Sequence, residues 1–80
     1  MLHDKDGQKI NKGDYVSTKM GYGRVTEAID ETYGNVKCIC YHTPDSQTID
    51  FSAIDDEVRV VIRPTVPGEY ADKIDLHYNL

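Results

Sequence analysis

From Asp14 onward the chain alternates polar and apolar positions with a period of two. Val16, Thr18 and Met20 fall on one side and Tyr15, Ser17 and Lys19 on the other, which predicts a first strand. A second runs from Arg24 to Ile29 with Val25 and Ile29 inward, or with Ala28 substituted if a bulge resets the register. VKCICYH, residues 36–42, is the most strongly β-forming stretch. Lys37 belongs in water, so Val36, Cys38 and Cys40 are assigned to the core, and Ile39 and Tyr41 face outward. TIDF (48–51) makes a short strand with Ile49 and Phe51 inward, and SAIDDE (52–57) a tight or single 3₁₀ turn that tucks in Ile54. VRVVIR (58–63) is the final strand, with Val58, Val60 and Ile62 inward and Pro64 as its stop.

Turn chemistry separates these runs. DKDGQKINKGD (4–14) reads as two turns around Ile10, DETYGN (30–35) turns at Gly34, and TPDSQ (43–47) makes another turn. Beyond Pro67 and Gly68, Ile74, Leu76, Tyr78 and Leu80 alternate with Asp75, His77 and Asn79, so the tail is read as a sixth strand. The alternative is about two turns of helix with Tyr70, Ile74 and His77 on one side. The outward Ile39, Tyr41 and Val61 give that tail, or a partner, an apolar surface to cover. The pattern predicts an all-β fold: a small, strongly bent, five-stranded antiparallel barrel over residues 1–63, with residues 64–80 as an extension packing on the barrel or on a partner.

Gly13, Asp14 and Val16, followed by Gly21, Gly23 and Val25, carry a resemblance. A Gly-Asp-x-Val opening strand that leads through a Gly-x-Gly-x-Val corner resembles the SH3-like small-barrel superfamily, in particular its KOW, Tudor and CarD N-terminal members. The resemblance spans residues 5–63 and implies a closed barrel. Related barrels bind RNA, ribosomal proteins, RNA polymerase subunits or methylated histone tails, so the resemblance implies a fold and leaves function open.

Eighty residues suffice for one domain and one small core. The longest apolar run falls far short of the roughly 20 residues a membrane span needs, and MLHDKDGQKI lacks the apolar stretch of a secretory signal, so a cytoplasmic location is expected. Cys38 and Cys40, two apart in a strand and so about 6 to 7 Å from one another, are read as free buried thiols in a reducing compartment. The formal charge of −5 repels a phosphate backbone, and the lysines and arginines are dispersed among acids.

The candidate chemistry is sparse. Gly21 and Gly23 lead into a strand, not a helix, so they are read as turning the chain or admitting a close backbone approach, not as cradling a phosphate. Cys38, Cys40 and His42 share a face, but regular strand spacing keeps them from converging on a tetrahedral ion. His3, His42 and His77 lie in separate regions, and the serines lack a nucleophile-elbow context. No catalytic, metal or cofactor site is therefore expected.

Tyrosines and acids remain. Tyr22, Tyr33 and Tyr41 are candidates for a recognition surface, the competing reading being that they shield barrel ends or pack beneath the tail. Asp55, Asp56 and Glu57 would steer a basic partner. These features point to a non-enzymatic module that binds another protein. The alternative is a nucleic-acid-associated barrel using Lys19, Arg24, Lys37 and Arg59, with tyrosines stacking on bases. Monomer and homodimer both stay open.

Overall fold

The computed structural model describes residues 3–19, 21–30, 35–47, 51–53 and 57–79. Among the described residues, six strands form one antiparallel sheet: β1 (Tyr15–Thr18), β2 (Gly21–Asp30), β3 (Asn35–Thr43), β4 (Ser46–Gln47), β5 (Phe51–Ala53) and β6 (Arg59–Val61). A 3₁₀ turn at Arg63–Thr65 leads into helix α1, Gly68–Tyr78. The strand order is β4-β3-β2-β1-β6, and β5 pairs with the other half of β3. The ladder between β2 and β3 shifts register between Val25 and Glu27 and again between Glu27 and Ile29, where the sequence left room for a bulge.

Two expectations are corrected here. The sheet is open, so the SH3-like barrel and its KOW, Tudor and CarD kinship do not stand: among the described residues neither β4 nor β5 pairs with β6. The physical reason lies at the outer edge of β6. There the Val60 N–H donates to Asp4 Oδ2 at 2.7 Å, and the Lys5 N–H donates to the Val58 carbonyl at 3.3 Å. The N-terminal turn thus occupies the edge that a closing strand would need. Asp4 is buried, and its Oδ1 also accepts the N–H groups of Asp6 and Gln8 at 2.9 and 2.8 Å, which holds the turn in shape.

The second correction is the tail. It is a helix, so the fold is not all-β. Tyr70, Ala71, Ile74 and Tyr78 recur at the helical interval, Glu69 sits in the first turn where the helix dipole favours an acid, and the Asn79 N–H closes the last turn on the Asp75 carbonyl. Pro67 cannot continue a strand ladder, yet its carbonyl accepts the N–H groups of Tyr70 and Ala71, both at 2.9 Å.

Each face of the sheet carries a buried apolar cluster. Register places Val60, Val16, Gly23 and Cys40 in one row and Val61, Tyr15, Arg24 and Ile39 in the next, and alternation sends these rows to opposite faces. On the first face Ile10, Val16, Val25, Val36 and Val58 form one buried cluster, with Cys38 and Cys40 also buried. On the second, Tyr41, Val66, Ala71 and Ile74 form another, lined by Tyr15, Tyr22, Ile39, Val61 and Tyr70. Val16, Val25, Val36 and Val58 thus lie inside as the alternation predicts, whereas Ile62, also assigned inward, is 71% exposed because β6 ends before it. Met20, Ile49 and Ile54 lie outside the described residues.

Gly21 and Gly23 work by lacking a Cβ. One on Gly21 would run into the Tyr41 carbonyl, and one on Gly23 would stand 2.5 Å from the Ile39 oxygen and 2.8 Å from Cys40 Sγ. The bare glycines let β3 approach β2 closely along their ladder. The cysteines also depart from expectation. Cys38 and Cys40 are joined in a disulfide, their Cα atoms 5.8 Å apart, so they are not free thiols. Their spacing falls well inside the range that a disulfide bridges, and a fully extended strand, at about 6.6 Å, lies near the upper end of that same range.

Candidate functional site

The seam between α1 and the sheet gathers most of the chain's distinctive chemistry. Tyr15 and Arg24 are direct register partners on β1 and β2, so their side chains rise together from one face. Asp75 and Tyr78, three apart on α1, come down on the same spot. The Arg24 guanidinium lies 4.6 Å from the Tyr15 ring centroid and 3.9 Å from that of Tyr78. Its Nε donates to the Gly13 carbonyl at 2.9 Å and its Nη1 to Asp75 Oδ1 at 3.3 Å.

Asp75 is the hub of this cluster. Its Oδ1 accepts the Tyr15 hydroxyl at 2.6 Å, and its Oδ2 accepts Arg63 Nε and Nη2 at 3.1 and 2.9 Å. Burial pushes the Asp75 pKa up, but the Tyr15 hydroxyl, then Arg63 and Arg24, outweigh that and hold the carboxyl below its ordinary value. Tyr15 moves the other way: burial and then the bond to Asp75 raise its pKa. Two cations and a phenol are thereby tied to one carboxylate.

A second group sits one row along. Tyr22 and Tyr41 are register partners on β2 and β3. The Tyr70 ring meets Tyr22 edge-on, centroids 5.1 Å apart at 61°, while its hydroxyl donates to the His42 carbonyl at 3.0 Å. The Tyr41 hydroxyl shares a short hydrogen bond with His77 Nδ1, and burial raises the Tyr41 pKa. Among the described residues no buried side-chain polar atom lacks a partner. The hydrogen bonds of Tyr15, Arg24, Tyr41, Arg63 and Tyr70 in this seam tie α1 to the sheet and the 3₁₀ turn.

The sequence-derived candidates are distributed as follows. Tyr22 and Tyr41 are brought side by side beneath α1, Tyr41 buried and Tyr22 partly so. Glu57 is exposed at the turn before β6 and holds a left-handed backbone, φ 60°. Tyr33, Asp55 and Asp56 lie outside the described residues. Of the cations proposed for nucleic acid, Arg24 is enclosed in the seam, Arg59 lies 3.7 Å from Asp6, Lys37 is partly buried and Lys19 is exposed.

Sequence reasoning missed Asp75 and Arg63, which acquire roles only once the tail is helical. The available signal was Pro67-Gly68-Glu69, a helix start, followed by Tyr70, Ile74 and Tyr78 at intervals of four. Among the described residues no group of three or more His, Cys, Asp or Glu is arranged to hold a metal, and no helix is long and apolar enough to cross a membrane. No family model, no curated protein and no solved structure matches the chain.

Proposed function

We propose that this chain is a small non-enzymatic module that binds another protein. The observation that carries the reading is the state of Arg24, the cation nearest the centre of the sheet: it is stacked between two tyrosine rings and bonded to Asp75 and Gly13. A basic face for nucleic acid loses its central member, and the net charge of −5 opposes a phosphate backbone throughout. Two groups of the seam capable of acid–base work are also committed: Asp75 to Tyr15 and Arg63, and His77 to Tyr41. Among the described residues, Ile62 and Leu76 are the large apolar side chains left exposed, and exposed acids such as Glu57 and Glu69 alternate with exposed bases such as Arg59 and Lys73. The net charge of −5 favours a partner with basic groups, and Ile62 and Leu76 offer it apolar contact.

On this reading Glu57 acts with Asp55 and Asp56 in steering, Tyr33 and the accessible part of Tyr22 contribute anchoring area, and the module works in the cytoplasm. The test is retention from native lysate at two salt concentrations, with and without nuclease, followed by titration of the purified partner against the wild type and Glu57→Lys. Retention that survives nuclease, with weaker and slower association of Glu57→Lys, supports the proposal. Loss of all retained material after nuclease, or salt-dependent binding of a labelled single-stranded RNA, overturns it.

A further inference from the structure

We propose that Cys38 and Cys40 form a reversible thiol–disulfide site that takes a small thiol of the glutathione type as co-reactant and sets how firmly α1 sits on the sheet. These are the only two cysteines in the chain, and they are joined to one another. A disulfide restrains an unfolded chain in proportion to the logarithm of the loop that it closes, and a loop from residue 38 to residue 40 lies at the short extreme. As a staple for the fold the bond contributes little. A stabilising role does not explain it, whereas a switching role does.

The position of the pair gives the bond something to control. Cys38 faces Val25 and Cys40 faces Gly23 across the β2–β3 ladder, and Cys40 Sγ fills the space that a side chain at position 23 would take. Ile39 lies between the cysteines in sequence and points to the opposite face, where it packs on the cluster of Tyr41, Val66, Ala71 and Ile74. Tyr41, next after Cys40, is bonded to His77 of α1. The Cα atoms of the pair are 5.8 Å apart, whereas residues two apart in an extended strand stand about 6.6 Å from one another. Opening the bond lets β3 lengthen at the point where Ile39 and Tyr41 support the helix. The two faces of one strand are thereby coupled.

The chemistry balances with two equivalents of thiol. A reductant thiolate attacks one cysteine sulfur, forms a mixed disulfide and expels the other cysteine as a thiolate. A second reductant thiolate attacks the reductant sulfur of the mixed disulfide and releases the first cysteine. The net change is one protein disulfide and two small thiols giving two cysteine thiols and one small disulfide, a two-electron exchange that runs backwards with the oxidised form of the same reagent. Cys38 and Cys40 are 1% and 5% exposed, so attack proceeds through local opening of the sheet, which makes the exchange slow and selective for small reagents.

The test equilibrates the full chain across ratios of reduced to oxidised glutathione, quenches with acid, labels with N-ethylmaleimide and reads the intact mass. Backbone hydrogen exchange over residues 68–79 is followed at the two extremes. The expected result is a single transition from no label to two labels per chain, with exchange in α1 faster by about threefold or more in the reduced state. The Cys38→Ser/Cys40→Ser chain should match the reduced state in either buffer. Two labels at every ratio would overturn the site, and identical helix exchange in both states of the wild type would overturn the coupling, whether or not the double variant folds.

Discussion

Replacing Asp75 with Asn isolates what one negative charge contributes to seating α1. The substitution keeps the side chain's size and one carbonyl acceptor, so the loss is that of charge. A hydrogen bond to a charged group contributes about 1.5–3 kcal/mol against about 0.5–1.5 for a neutral pair, so neutralising the acceptor of the 2.6 Å Tyr15 bond costs about 1 kcal/mol. Arg24, its side chain 22% exposed and pinned between Tyr15 and Tyr78, loses its counter-charge at a cost of about 1 kcal/mol more. The Arg63 pair is half exposed and adds little. The expected loss is about 2 kcal/mol, which in a domain of this size lowers Tm by roughly 8–16 °C.

The pH dependence sharpens the test. Because Asp75 has a lower pKa folded than its unfolded value of 3.8, its contribution is present above 3.8 and disappears as the pH falls through the folded value. Urea unfolding followed by circular dichroism should therefore show a constant gap between wild type and Asp75→Asn from pH 7 to about 5, closing below about 4. Tyr15 gives the converse at the alkaline end: its pKa is raised above 10.0, so its contribution is present below 10.0 and is lost as pH rises through the folded value. Removing Asp75 should soften that loss. A variant within about 0.5 kcal/mol of wild type at pH 7, or a gap unchanged at pH 3, would refute the hub.

Three further substitutions probe the rest of the frame. Gly23→Ala drives a methyl into the Ile39 carbonyl and Cys40 Sγ and should cost about 2 kcal/mol or more by thermal unfolding; a variant as stable as wild type would show that β3 does not approach β2 as closely as described. Glu57→Gly relieves a left-handed backbone at an exposed position and should raise stability by about 1 kcal/mol in the same assay. Asp4→Asn sets an amide donor among three backbone donors and should cost about 2 kcal/mol, with light scattering reporting more self-association as the β6 edge is uncovered.

The first face of the sheet was legible because its signal is local. Val16, Val25, Val36, Cys38, Cys40 and Val58 fall on inward positions of runs whose other positions include Lys37 and Arg59, so alternation alone sorts them. Closure was not legible, because it depends on what meets the edge of β6. Asp4, fifty-six residues before Val60, appears in the sequence only as one acid in a turn-rich stretch. The disulfide was missed for a different reason: residues two apart in an extended strand, about 6.6 Å apart, lie near the upper end of the disulfide range, so the expected spacing did not exclude a bond and the free-thiol reading leaned on it too heavily. The seam around Asp75 needed the helix first, since its members come from β1, β2, the 3₁₀ turn and α1.

The tail turns on a single residue. Ile74 and Tyr78 are apolar positions in both descriptions, since an interval of four satisfies a period of two and approximates one of 3.6. Leu76 separates them: as a strand residue it shares a side with Ile74, whereas on a helix it lies about 200° round from Ile74 and faces away. It is 67% exposed while Ile74 is fully buried. The alternation thus counted Leu76 as support for burial when the fold spends it on the surface. What decides for the helix lies elsewhere, in β3, whose Ile39 and Tyr41 make its second face apolar. A strand added at the edge would leave that face wet, whereas a helix laid across it covers Ile39, Tyr41 and Val61 together and brings Asp75 over Arg24. The choice between helix and strand is made by the surface that the tail must cover, and the propensity of the tail itself is secondary.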